Sequence, residues 1–466
     1  MTDLDRSPFD PSLHEMRQMG ADVVDLASRF IDERYSAPTA DYSDLEPLLA
    51  ALSGPPPAAG LPLAKLLEEV EAAAQKGFDP ANPGFAAYIP GGGLYAAALA
   101  DFLACCLNRY TGLAQPAPAL VQLEASVLRW LCDLFRMPHQ SQGVLAPGGS
   151  MANLSALVTA RTAKLGERFL DGTMYVSQEV HHSIAKSARF AGFPAGSVRV
   201  VGTDDALRMS PEPLRTAVRE DRAAGRRPFL VVASAGTINT GAVDPLNDIA
   251  DVAADEDLWF HVDGAYGGFF QLTGRGRAAL DGIERADTIT LDPHKGLFLP
   301  YGTGCLLARD ATALRAAHEE RADYLPPVSQ DDALPDFSSF SPELTRDYRG
   351  LRLWLPLHLH GVDTFVQALD EKLDLADRAY QRLTVVPGLD VPWKPQLSMV
   401  AFKPRGAGDQ ETAGLLRRIN ASNRVWLSSG VVGGQTFLRM CILSHRSRPG
   451  RIEEALEIIA AAAAAA

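Results

Sequence analysis

A lysine stands directly after an apolar, β-branched run. Thr288–Leu291 is followed by Asp292-Pro293-His294-Lys295-Gly296. Lysine is rarely buried, and one held at a strand end can lose its charge and act as an amine nucleophile or Schiff-base former. The competing reading is a solvated loop lysine. A second strand end carries His261-Val262-Asp263-Gly264-Ala265-Tyr266. Its carboxylate could pair with a cationic ring nitrogen, bind a metal or cap a helix. A third stretch, Pro147-Gly148-Gly149-Ser150, opens a helical segment. Free backbone N–H groups at a helix start suit a phosphate, although the same residues also make an ordinary N-cap. The fourth, His181-His182-Ser183, follows a strand ending at Ser177. It is either structural or a flat imidazole that stacks on an aromatic ligand. Taken in order, a phosphate cradle, a stacking group, a carboxylate and a lysine describe a site for pyridoxal 5'-phosphate, which uses all four.

The elements that must position them follow from the pattern. Candidate strands are Val144–Ala146, Thr173–Ser177, Val198–Val201, Phe229–Ser234, Leu258–Val262, Thr288–Leu291 and Gly304–Ala308. Helical segments such as Ser150–Leu165, Pro211–Asp221 and Leu246–Asp255 fall between them. That βαβα order predicts an α/β fold with a mostly parallel seven-stranded sheet and helices on both faces. Ligands in such sheets bind beyond the carboxyl ends of the strands. Before the sheet, Ala21–Tyr35, Leu63–Lys76, Ala97–Leu107 and Leu120–Phe135 read as helices. Ser53–Gly60 reads as a stiff linker and Asp79–Gly84 as a turn cluster. After the sheet, Ser329–Arg349 reads as a long loop of the kind that forms lids. Leu351–Asp377 is helical. Strands near Leu397–Phe402 and Thr436–Leu443, with helices at Thr412–Asn420 and Arg451–Ala460, predict a small α+β C-terminal domain.

Composition bounds the partners. Lys plus Arg is 44 and Asp plus Glu is 57, a net charge of −13 that argues against nucleic acid as the main partner. The five cysteines form no CxxC or zinc-like cluster, which fits a reducing cytoplasm. The first residues lack the apolar core of an export signal. The longest apolar run, Leu94–Leu107, is interrupted by Asp101 and falls short of the about 20 residues that span a bilayer. No membrane and no metal is expected. His358-Leu359-His360 reads as packing rather than a metal pair, and Gly274-Arg275-Gly276 as a turn.

From about Gly20 to the end the chain resembles the group II pyridoxal-phosphate-dependent amino-acid decarboxylases, which include aromatic-amino-acid, glutamate and histidine decarboxylases. The stretches that carry the resemblance are Pro83–Pro90, Leu145–Leu154, Ser177–Ser183, His261–Tyr266, Asp292–Gly296 and Phe437–Ser444. The resemblance implies the aminotransferase-like fold type I of these enzymes. It also implies a homodimer with shared active sites and a small amino-acid substrate. It divides the chain into an N-terminal helical segment (1–93) packed on the partner, a large cofactor domain (94–355) and a small C-terminal domain (356–466). Carried over by position, Lys295 would form the Schiff base and Asp263 would hold the pyridinium proton. His181 and Ala265 would pack on the ring, and Gly149 and Ser150 would hold the phosphate. His294 and Thr237 would touch cofactor, and Arg439 would be structural. Tyr88, Pro90 and Tyr110 would line the substrate pocket.

Departures from the family pattern bear on substrate and product. Asp292 replaces a frequent Asn, so direct phosphate binding there is not expected. Pro80 stands where aromatic-amino-acid decarboxylases carry a Trp, Gly112 replaces a pocket aromatic, and Tyr110 replaces an aliphatic neighbour. Counting back from Trp354 places Phe337 where typical members have a proton-donating lid tyrosine. A phenyl ring cannot donate a proton. Relatives with Phe there tend to let O2 react and release an aldehyde, ammonia and peroxide. The expected function is therefore decarboxylation of an L-amino acid or amino-acid conjugate. The alternatives are oxidative deamination to an aldehyde, C–S cleavage, and a non-catalytic cofactor-binding protein. Tyr324, Tyr348 or a histidine are the other candidate proton donors.

Overall fold

A computed structural model describes residues 7, 9–320 and 334–465. Tyr324 and the start of the expected lid loop lie outside the described residues. The main sheet contains β1 (Gln142–Ala146), β2 (Gly172–Ser177), β3 (Val198–Val201), β4 (Arg227–Ser234), β5 (Trp259–Gly264), β6 (Thr288–Leu291) and β7 (Gly304–Ala308). Their order across the sheet is β1-β7-β6-β5-β4-β2-β3. Strand β7 runs antiparallel to both neighbours, and every other pairing is parallel.

Alternation along β4 shows why the strands are apolar throughout. Leu230 and Val232 pack with Leu157 and Ile184 on one face. Val231 and Ala233 pack with Leu214 and Ile249 on the other. Helices thus cover both faces, as continuous apolar strands require. The helix Gly149–Lys164 buries Ala152, Ala156 and Ala160 at four-residue spacing, so small side chains let it lie close on the sheet.

The small domain has its own core around Val400, Phe402, Leu415 and Leu438. Its strands are β8 (Leu389–Asp390), β9 (Met399–Pro404), β10 (Ser428–Val432) and β11 (Gln435–Cys441), in the antiparallel order β8-β9-β11-β10. Helices Val362–Thr384, Asp409–Asn420 and Pro449–Ala464 pack on it.

Two boundaries differ from the sequence pattern. The first helix spans Leu13–Glu33, because Ser12 and Glu15 form a capping box. The helix expected at Leu351–Asp377 is two helices, Gly350–His360 and Val362–Thr384, divided at Gly361 with φ +73°. Only glycine adopts that left-handed backbone at little cost.

Candidate active site

Four sequence motifs leave the carboxyl ends of the same set of strands. The Gly-Gly-Ser turn follows β1, the His-His pair follows β2, Asp263 ends β5 and Lys295 follows β6. They meet around one cavity of about 430 Å³, within the ~300–1,000 Å³ usual for small-molecule sites. Gly149, Ser150, His181, Thr237, Asp263, Ala265, His294 and Lys295 all line it.

One end of the cavity is built for an anion. Gly148 O accepts from the N–H groups of Met151 and Ala152, so the amides of Gly149 and Ser150 precede the first N–H that donates within the helix. Such amides, at the positive end of a sixteen-residue helix, suit a phosphate. A Cβ added to Gly149 would sit 3.0 Å from Asp292 Oδ2 and 3.1 Å from Ala265 Cβ. The cradle therefore exists because Gly149 has no side chain.

Lys295 sits in a one-turn helix, Pro293–Gly296. That turn presses on Phe269 so closely that a Cβ on Gly296 would lie 2.5 Å from the Phe269 Cβ. Lys295 Nζ is 2.7 Å from Asp292 Oδ2. Asp292 is buried and pairs with the lysine, while its Oδ2 also lies against the Gly149 turn. His294 Nδ1 is 2.7 Å from the Thr303 carbonyl, and its Nε2 is 3.7 Å from Asp292. Burial lowers its pKa, opposed by Asp292.

Beneath the cavity lies a chain of buried polar groups. Asn153 Nδ2 donates to Asp263 Oδ2 at 2.9 Å and to Ser183 Oγ at 3.0 Å. Ala265 N–H donates to the other oxygen of Asp263 at 3.1 Å. Ser183 Oγ is 2.7 Å from His181 Nδ1. On the far side, Asn153 Oδ1 is 3.0 Å from His261 Nε2, and His261 Nδ1 is 2.9 Å from Thr288 Oγ1. Burial pushes His181 and His261 below the usual histidine pKa, with Asp263 opposing both. Both imidazoles are therefore held neutral near pH 7.

Asn153 was assigned no role from sequence, and it lines the cavity. The available signal was its position on the phosphate-cradle helix, four residues after Gly149 and hence on the same face. Thr237 caps its own loop, its Oγ1 accepting from Ala242 N–H at 3.1 Å.

Tyr88, Pro90, Tyr110 and Phe337 do not line this cavity. Tyr88 is 51% exposed and its neighbour Ile89 faces the cavity instead. Tyr110 donates its hydroxyl to Leu344 O at 2.9 Å. Phe337 lies in the core, 0% exposed, with the Arg346 guanidinium 4.9 Å from its ring centre. Its segment is tied to the expected pocket stretch, because Asp336 accepts from Ala114 N–H and Ser338 N–H donates to Gly112 O. Tyr348 is also buried and donates to Leu120 O. Arg439 is buried and donates to Tyr88 O at 3.2 Å. Among the described residues no cluster of His, Cys, Asp or Glu could hold a metal, and no helix is long and apolar enough to cross a membrane.

Residues 51–405 match the family described as the pyridoxal-dependent decarboxylase conserved domain. An aromatic-L-amino-acid decarboxylase of Bacillus atrophaeus is 33% identical over 457 residues, covering 96% of this chain and 95% of that protein. A phenylacetaldehyde synthase of Arabidopsis thaliana is 29% identical over 397 residues, 81% of each. Among solved structures, Oryza sativa TDC with PLP and tryptamine is similar, with a TM-score of 0.93, 27% identity and 99% of both chains covered.

Proposed function

From the premise that this chain belongs to the pyridoxal-dependent decarboxylases, we propose that its cavity removes the carboxylate of an L-amino acid as CO2 and releases the amine. One observation carries the reading: Lys295 and Asp263 face a single cavity whose far end is a side-chain-free helix start.

The residues present fit pyridoxal phosphate. The Gly149 cradle and its two unclaimed amides would hold the phosphate, and Lys295 is the attachment amine. Asp263 would pair with a ring-nitrogen proton, and His181 and Ala265 offer a flat and a small surface to a planar ring. When bound, the cofactor supplies an electron sink for the pair left as the Cα–carboxylate bond breaks. The chain's own groups do the rest. Both Asp263 oxygens accept from fixed N–H donors, Oδ2 from Asn153 and Oδ1 from Ala265, which holds the carboxyl group in one orientation. Neutral His181 can pass a proton at Nε2. Ile89, Met151 and Ile238 give the cavity apolar walls beside its polar groups, so apolar or aromatic amino acids are the substrate class to test first. The 33% identical Bacillus relative supports the same class.

The aldehyde-forming alternative rests on Phe337 at the lid position; its ring is buried and does not line the cavity, and the products measured below decide between the two. A homodimer is part of the proposal. Helices Leu13–Glu33 and Tyr95–Leu107 expose Met16, Met19, Leu99, Phe102 and Leu103, and Tyr301 is 58% exposed. An apolar surface of this kind marks an interface, and a second copy would cover it, with residues 1–93 packing on the partner. The five free thiols suit a cytoplasmic setting.

The test is one incubation of the cofactor-loaded protein with a panel of amino acids. CO2, amine, aldehyde, ammonia and peroxide are measured with O2 uptake. Amine and CO2 in equal amounts without O2 uptake are expected. Aldehyde with O2 consumption would replace the amine reading, and a thiol with pyruvate would remove decarboxylation altogether. Lys295→Ala should lose both CO2 release and the visible absorbance of the bound cofactor.

A further inference from the structure

The hydrogen bonds beneath the cavity have a direction, and their two ends fix it. Asp263, as a carboxylate, only accepts, and the Trp259 indole N–H only donates. Since Asp263 must receive a hydrogen from Asn153, the amide nitrogen faces Asp263 and the amide oxygen faces His261. His261 Nε2 therefore carries a proton. Its Nδ1 then accepts from Thr288 Oγ1, whose own lone pair takes the Trp259 N–H at 2.9 Å, while the Thr288 carbonyl oxygen lies farther from the same Nδ1 at 3.2 Å. On the other branch, Ser183 Oγ receives the second amide hydrogen of Asn153. The Ser183 hydroxyl proton is left to point at His181 Nδ1, which also receives the Ser183 backbone N–H at 3.2 Å. His181 Nδ1 is thus an acceptor twice over. Asn153 and His261 are each 2% exposed, so bulk water does not compete for these bonds.

We propose that Asn153 is a positioning residue for both groups facing the cofactor. One amide hydrogen is donated to Asp263 Oδ2 and orients that acceptor toward the site of the ring nitrogen. The other, through Ser183, holds His181 as the neutral tautomer protonated on Nε2. This rests on the reading that Asp263 and His181 face pyridoxal phosphate. Asp263 interacts electrostatically with His181 and with His261 on β5, and His181 in turn with His182, Lys295 and Asp292. An aspartate at position 153 would add a second carboxylate about one hydrogen-bond length from Asp263. Two such carboxylates cannot both ionise, and one of them retains a proton to higher pH.

Two measurements test this. Histidine-selective 15N NMR of the cofactor-free protein should find His181 protonated on Nε2 near pH 7.5. Equilibrium dialysis of pyridoxal phosphate should show Asn153→Asp binding at least ~10-fold more weakly than wild type at pH 8, the gap closing toward pH 6 as the shared proton restores a donor to Asp263. A gap of the same size at every pH is what a packing defect gives, and it would overturn the proposal. So would a wild-type His181 protonated on Nδ1, a result that needs no variant to fold. If the wild type binds no pyridoxal phosphate, the functional reading fails, while the His181 tautomer still decides the arrangement around Asn153.

Discussion

Replacing Phe337 separates a core residue from a lid residue. Its ring is fully buried and the Arg346 guanidinium lies 4.9 Å from its centre. Truncation to Ala removes the transfer free energy of the ring and leaves a cavity, together about 3–5 kcal/mol. The lost contact with a desolvated cation adds up to about 2 kcal/mol. Phe337→Tyr keeps the ring and adds a hydroxyl. Arg346 cannot accept a hydrogen bond, so the hydroxyl must find another acceptor or remain unsatisfied, at about 1–3 kcal/mol. Both variants should therefore lower the denaturation midpoint, Ala more than Tyr, as followed by near-ultraviolet circular dichroism in urea. Neither should change the ratio of amine to aldehyde per CO2 released under air. A Phe337→Tyr protein with wild-type stability and a product ratio moved from aldehyde toward amine would refute the core assignment and return the ring to the reacting groups.

Three further outcomes follow from the same geometry. Gly149→Ala places a methyl 3.0 Å from the Asp292 carboxylate, in the space read as the phosphate cradle, and should weaken pyridoxal phosphate binding by roughly tenfold or more in dialysis while the cofactor-free protein stays folded. The Glu124–Arg346 pair has no exposed side-chain surface, so Glu124→Gln alone should destabilise by about 3–5 kcal/mol, and Glu124→Gln with Arg346→Met by clearly less. Burial, then Arg446, Lys372 and His360, push His445 down to about 3. Because the folded pKa is the depressed one, the unfolded chain takes up the proton first, and stability falls as pH drops from about 6.5 toward 3. Between pH 6.5 and 4.5 this one group accounts for about 2–3 kcal/mol of lost stability, and a His445→Gln series in urea should show that much less loss.

The fold and much of the site were legible because they depend on local order. Each strand of the main sheet is an apolar run, and its polar ligand-facing residues follow at once, as at Val144–Ser150 and Thr288–Lys295. Parallel topology then forces those residues to one edge. Asn153 was not legible, because an asparagine inside a helix declares nothing about partners more than a hundred positions away. The orientation of Phe337 was not legible for a different reason. Counting along a loop gives position but not direction, and the ring's direction is set by Asp336 and Arg346 reaching to Ala114 and Glu124. The early start of the first helix could have been read from Ser12 and Glu15, whose spacing is a capping signal.

The lone antiparallel strand β7 joins the two sides of this site. It is the last strand of the main sheet to be synthesised, and it inserts between β1 and β6, the strands that lead to the cradle and to the lysine. Gly304 at its start abuts Gly148 so closely that a Cβ would lie 2.5 Å from that backbone. The register of β7 on β1 pairs Gln142 with Ala308 and Ala146 with Gly304, so closing this edge of the sheet joins residues far apart in the chain. Such long-range closure is slow to form. The cradle turn and the lysine turn thus stand on two strands that only β7 joins edge to edge.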